Sequence, residues 1–317
     1  MKNKAIFILS GIDEKTEIKF TIDTFSYTIT KITKDIEEAV DSLNLEEKIY
    51  LSIEGRSNKE DFLERAQNIK NLLSFAVGRR IIFNKQLYYD DDSSIEFVSR
   101  EMAAPINEGQ EIIPNFNIGV YLQQVYHNYS TFSKEDKDQF FVCTDYLNQT
   151  KNGFVEDRII HAAIAWESLA DYLKVSSELP AHLTELRTLL KTTIGVWRTE
   201  NTHHDSNGEL GFRILAAIDR EKLLGRLIKL ASRFKLDNDL IGINFLKLKE
   251  LRDSIAHSGR MGITGTDAYY VMEPAIKGLQ IILLTWLGYR GLIFFHREEL
   301  ITREPIEKFY RQDLEGT

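Results

Sequence analysis

At Ser133 the spacing of apolar residues changes from a period of about two to one of about 3.6, and it stays there almost to the end of the chain. A chain with such a switch is a strand-rich unit followed by a helical one. Before the switch, KAIFIL (4–9), EIKFTIDTFSYTITKI (17–32) and KIYLSIEG (48–55) are rich in Ile, Phe, Tyr and Thr, and each reads as a strand. Ser57–Asn58 then opens a helix, KEDFLERAQNIKNLLSFAVG. Its Phe62, Ala66, Ile69, Leu72 and Leu73 recur at helical spacing, and Gly78 stops it. RRIIFNKQLYY and SSIEFVS follow as a hairpin around Asp90, Asp91 and Asp92. Residues 1–104 are therefore expected to form a β-rich domain.

Residues 105–133 carry Pro105 and Pro114 among Asn, Gly and Tyr, and read as a linker with one helical turn around GVYLQQVYHNY. Ser133 to Asp136 has the pattern of a capping box. After it come helices over KDQFFVCTDYLNQT, 154–175, 181–195, 212–217, 221–236, 243–258 and 267–290. Joined by short polar turns, they predict an all-α bundle over 134–297, closed by a charged tail over 298–317. The fold class is α+β, an N-terminal β-rich domain followed by a helical bundle.

The single Cys143 excludes a disulfide framework and a cysteine zinc site, and it points to a reducing cytoplasm. The first residues, MKNKAIFILSGIDEK, have too short an apolar run for a secretory signal. IILLTWLGYRGLIFF is broken by Gly288, Arg290 and Gly291, so no membrane span is expected. A net charge of −8 excludes binding of nucleic acid over the whole surface. The charge is uneven, however. Residues 213–260 hold 11 Lys+Arg against 6 Asp+Glu, a local +5 that leaves −13 elsewhere.

Within that basic segment lies the decapeptide LRDSIAHSGR (251–260). It sets Arg252, Asp253 and His257 near the end of a helix that Gly259 should terminate. Asp253 and His257 are four apart, so the carboxylate can reach the imidazole, fix its tautomer and raise its pKa. Arg252 and His257 are five apart and project roughly 140° from one another on a straight helix. Gripping one small group together requires a helix end or a second copy of the pair. The spacing alone is common: Arg198–His203 and Arg290–His296 are near matches, but one lies in a polar loop and the other across a glycine-broken run.

LRDSIAH resembles the R-x4-6-H signature of HEPN domains, helical bundles of prokaryotic defence and toxin systems. The helix RIIHAAIAWESLADYL (158–173) is similar to the one that carries a glutamate in the Apea-like HEPN group, which here would be Glu167. The β-rich first domain, with a helix ending in LLSFAVG, also resembles that group's companion domain. The resemblance implies a metal-independent endoribonuclease acting as a homodimer in the cytoplasm, in antiphage defence or a toxin–antitoxin system. His257 would be the general acid or base, Arg252 would stabilise the phosphorane, Asp253 would orient His257 and Glu167 would contribute to the site. RNA is the implied partner, with a phage-derived trigger or a cognate inhibitor beside it, and no cofactor is implied. The competing reading is a non-catalytic HEPN scaffold.

Other features carry less. Lys222, Arg226, Lys229 and Arg233 form a basic stripe beside the apolar Leu223, Leu227, Leu230 and Phe234. That stripe is either a solvated helix face or, continued by Arg260, a track for RNA phosphates. His203, His204 and Asp205 sit in a polar loop and make a poor metal site. GRMGITGT (259–266) lacks the lysine of a P-loop. Cys143 reads as a core residue, and Tyr269, Tyr270 and Trp286 as core or dimer-interface residues.

Overall fold

A computed structural model describes residues 3–12, 17–34, 36, 49–89, 94–97, 111–151, 153–175, 181–201, 209–297 and 300–311. Six strands form one antiparallel sheet: β1 (Asn3–Ser10), β2 (Ile18–Ile22), β3 (Phe25–Lys31), β4 (Ile49–Gly55), β5 (Ile82–Tyr89) and β6 (Ser94–Phe97). Their spatial order is β2-β3-β4-β1-β5-β6. The period-two pattern sets the register. Ala5, Phe7 and Leu9 lie opposite Ile53, Leu51 and Ile49, and all six side chains point into one core. The run 17–32 is not one strand. It breaks at Asp23, whose φ of +54° permits a tight turn, and returns as a hairpin in which Phe20 stacks on Tyr27 at 4.9 Å.

Helix α1 (Lys59–Val77) covers one face of the sheet. Asn58 caps its first turn, and Gly78, at φ +65°, ends it. The expected hairpin of β5 and β6 is present as an antiparallel pair, while Asp90 to Asp92 lie outside the described residues.

The segment 105–133 departs from the expected linker. It contains a 13-residue helix, α2 (Ile118–Ser130). Ile118, Tyr121, Leu122, Val125, Tyr126 and Tyr129 are buried on one side of it. This helix joins the two halves of the molecule. Gln123 Nε2 donates to Thr21 O at 3.1 Å, and Asn71 Nδ2 to Tyr129 OH at 3.1 Å. In the other direction, Asn128 Nδ2 donates to Trp286 O at 3.0 Å, and Tyr129 meets Phe140 edge-on at 5.4 Å. One hydrophobic cluster runs without interruption from Ala5 through α2 to Phe309.

The helical region comprises α3 (Lys134–Gln149), α4 (Val155–Tyr172), α5 (Ala181–Glu200), α6 (Glu209–Arg233), the single turn α7 (Asn238–Ile241), α8 (Phe245–Ser258) and α9 (Gly265–Trp286). The capping box at Ser133 forms with Asp136 as its partner. Two expectations change here: 212–217 and 221–236 belong to one 25-residue helix, and 181–195 extends to Glu200. Helix α9 runs through the centre, with every residue from Ala275 to Leu284 buried. Trp166 of α4 packs against it, and its indole Nε1 donates to Ala275 O at 2.8 Å.

Most of the charged tail expected over 298–317 is described, and its residues 300–311 pack on the bundle. β7 (Leu292–Arg297) and β8 (Leu300–Pro305) pair antiparallel, and a 3-10 turn over Ile306–Phe309 buries both of its end residues. Asp237 N donates to Phe309 O at 2.9 Å and Arg311 N to Lys235 O at 2.8 Å, which ties the segment to the bundle.

Candidate functional site

Helix α8 is built to hold its polar residues at a fixed height on the bundle. Asn244 Oδ1 accepts from Lys247 N at 2.9 Å and caps the first turn. Phe245, Leu248 and Leu251 bury one face. Gly259, at φ +67°, closes the helix through its N–H to Ile255 O at 2.8 Å. Ser254 Oγ donates to Arg260 O at 2.7 Å, which folds the next loop back over the helix end. Arg252 and Asp253 are thereby half-buried beside α4, whereas His257 is exposed in the last turn.

The structure brings Glu167 and Arg252 together. Arg252 Nη2 lies 3.1 Å from Glu167 Oε2 on α4, and Nη1 lies 2.8 Å from Asp253 Oδ1. The second oxygen of Asp253 accepts from Lys249 Nζ at 3.1 Å, one turn earlier on α8. Two cations and two carboxylates therefore alternate across the contact between α4 and α8. Each pKa follows from its place. Burial works against the Arg252 charge, but the hydrogen bond to Asp253 and the nearby Glu167 outweigh it and raise the pKa. Burial pushes the Asp253 carboxyl up, but the hydrogen bonds from Arg252 and Lys249 win and hold it below the usual range. For Glu167 burial prevails. Its carboxyl is raised despite Arg252, with Asp171 and Asp253 adding to the rise.

Asp253 does not orient His257 here. Its carboxylate is committed to Arg252 and Lys249, and the His257 imidazole has no hydrogen bond among the described residues. Lys249 escaped the reading of the motif, although it stands four before Asp253, the same spacing at which His257 stands after it. Asp171 was missed as well. It lies one turn after Glu167 and faces an open groove between α3 and α4, lined also by Gln139, Ile164, Ser168 and Tyr172.

The basic stripe on α6 is partly used by the fold. Arg226 hydrogen-bonds Asp171, and its Nε donates to Val175 O at 3.0 Å. Arg233 Nη1 donates to Leu173 O at 3.0 Å. Both arginines thus cover carbonyls at the end of α4, where a helix favours positive charge. Lys229 and Arg260 are exposed, and the side chain of Lys222 lies outside the described residues. His203, His204 and Asp205 also lie outside them. Among the described residues no group of three His, Cys, Asp or Glu side chains is placed to hold a metal. Cys143 is fully buried, and burial pushes its thiol up to about 12. Tyr270 is exposed, whereas Tyr269 and Trp286 pack against the core. No described helix is long and apolar enough to cross a membrane.

These features define a class: an α+β protein, an antiparallel sheet followed by a helical region, with an Arg–carboxylate cluster and an exposed histidine on one helix. Compared with protein-family models, curated proteins and solved structures, the chain matches none.

Proposed function

We propose that this chain is a metal-independent endoribonuclease of the HEPN type, acting in the cytoplasm in antiphage defence or as the toxin of a toxin–antitoxin pair. The observation that carries the reading is the pairing of Arg252 with Glu167 across two helices, one turn below an exposed His257. An arginine held by carboxylates on one side keeps its remaining N–H groups in a fixed direction. A histidine free of partners can accept and return a proton. In the proposed reaction the RNA 2′-oxygen attacks phosphorus and its proton passes to a base. The P–O5′ bond breaks, and the 5′-oxygen takes up a proton, leaving a 2′,3′-cyclic phosphate and a 5′-hydroxyl. His257 serves as base or acid, and Arg252 faces the charge of the phosphorane. Because Arg252 turns toward α4 and His257 toward solvent, the reading calls for a homodimer that opposes two copies of α8. RNA contact would fall to the basic residues Lys222, Arg226, Lys229, Arg233 and Arg260, of which Arg226 and Arg233 also hold the end of α4.

A non-catalytic HEPN module is the second reading. It is favoured by the closed Arg252–Asp253–Lys249 network, which leaves His257 without an orienting carboxylate. A phage-challenge assay comparing wild type with His257→Ala separates the two. Protection lost in the variant, with RNA cleaved only in wild-type cells, supports the nuclease. Equal protection by both chains points to the scaffold.

A further inference from the structure

Helix α5 lies on the outside of the bundle, packed chiefly against α6. None of its residues from 184 to 200 is buried, and only Arg187, Leu190 and Ile194, three and four apart, are even partly covered. A helix in a folded protein draws most of its stability from burying an apolar face. Here a second apolar stripe stays in solvent. Leu186, Leu189, Thr193 and Val196 recur at steps of three, four and three residues, the a/d spacing of a two-helix seam. Leu186 is 42% exposed, Leu189 64%, Val196 55%, and Trp197 beside them 37%.

Charge keeps clear of this stripe. Arg187, Lys191 and Arg198 stand roughly 140–180° round the helix from its centre, and Glu185 and Glu200 lie at its two ends. A face without charge that carries a tryptophan has the composition of an interface core. Its size fits as well. The four exposed apolar side chains present roughly 400 Å² per chain, so two such faces in contact would remove roughly 800 Å² of apolar surface. At the usual apolar share of about 60%, the whole contact would come to roughly 1,300 Å², within the range of specific, stable interfaces.

We propose that α5 pairs through this stripe with α5 of a second copy of the chain, antiparallel, about a two-fold axis at the level of Lys191. In that register Leu186 shares a layer with Val196 of the second copy, and Leu189 with its Thr193. The two-fold repeats both layers, so each sets a large side chain beside a smaller one. A parallel pair would instead stack Thr193 on Thr193 and bring Glu200 against Glu200, like charges in contact. Antiparallel helices also place opposite ends of their dipoles together. The pairing stands apart from the ribonuclease reading, whose dimer opposes two copies of α8.

Sedimentation velocity of the full chain, over about 1–50 µM, tests the contact. The wild type should sediment as an assembly, and Leu189→Glu should halve its mass through at least about a tenfold loss of affinity. The readout is mass, so it holds whether or not RNA is cleaved. A second measurement reads the register and does not depend on Leu189→Glu folding. Cys143 is fully buried, so introduced thiols are the ones an oxidant reaches. A mixture of Leu189→Cys and Thr193→Cys chains should form disulfide-linked dimers, whereas neither chain should do so alone. The antiparallel register sets position 189 beside 193 and holds like positions beyond the reach of about 7 Å between Cα atoms. A wild type that stays monomeric over this range, a Leu189→Glu chain of unchanged mass, or cross-linking by each cysteine chain alone overturns the proposal.

Discussion

Asp253 had three nitrogen-bearing side chains within reach of its carboxylate: Arg252 beside it, Lys249 four residues before and His257 four after. Spacing alone does not rank them, because neighbours at i−4 and i+4 are equally accessible on a helix. Geometry does: one oxygen of Asp253 lies 2.8 Å from Arg252 Nη1 and the other 3.1 Å from Lys249 Nζ, so both are taken before His257 is reached. The motif LRDSIAH was therefore legible as a polar cluster at a helix end, while its internal pairing was not. Glu167 was legible only through the family resemblance, since nothing local to α4 singles it out. The Asp253 carboxyl is held below its usual range by Arg252 and Lys249, so it stabilises the fold. That contribution is fully present above the ordinary aspartate pKa of about 4, and is lost as pH falls through the lowered folded value. Asp253→Asn should destabilise the chain by about 1 kcal/mol or less at pH 7, the site being partly open to solvent. Urea unfolding of both chains at pH 7 and pH 3 measures this. A gap between them that does not narrow at the lower pH would remove Asp253 from the linkage.

At the level of elements, helices with clean caps read well and a helix with unusual composition did not. Ser133, Asn58, Gly78 and Gly259 each end or begin a helix where their chemistry predicts. α2 has an equally regular apolar period at Ile118, Tyr121, Leu122, Val125, Tyr126 and Tyr129, yet its tyrosines and β-branched residues are strand formers and its flanks hold Pro114 and Asn115. Tertiary burial overrides those propensities. The stripe on α6 had two readings, a solvated helix face or a track for RNA phosphates. Four basic residues at helical spacing look like an RNA track, but Arg226 and Arg233 fold back to the end of α4, a contact between helices that sequence periodicity cannot reveal. Arg226→Ala should therefore lower stability by about 1–2 kcal/mol, from the lost hydrogen bonds to Val175 O and Asp171. Guanidinium unfolding midpoints measure it. A variant with wild-type stability and weakened RNA binding would return Arg226 to the nucleic-acid surface alone.

For the whole molecule, the change of period at Ser133 separates two kinds of secondary structure but not two cores. Phe75 of α1 packs edge-on against Phe140 of α3 at 5.4 Å, Tyr121 OH donates to Leu72 O at 3.3 Å, and the buried cluster passes through both halves. A sequence shows where its pattern changes and is silent on which buried faces then meet. Charge behaves similarly. The local +5 around 213–260 suggested an open basic strip, but Arg226, Lys249 and Arg252 are matched in space by Asp171, Asp253 and Glu167, two of which come from α4 outside that segment. A shared core makes unfolding cooperative across the halves, and the tryptophans allow this to be read. Trp166, Trp197 and Trp286 all lie in the helical region, so their fluorescence reports on that region alone. Phe7, on the central strand β1, is fully buried against Phe83 and Tyr88. Phe7→Ala should cost about 3–5 kcal/mol, the usual range for removing a buried phenyl ring. If the core is one unit, the stability read from tryptophan fluorescence falls by that full amount, although all three tryptophans lie in the helical region. A tryptophan transition unmoved by Phe7→Ala, beside early hydrogen exchange in β1 and β4, would mean that the sheet unfolds on its own.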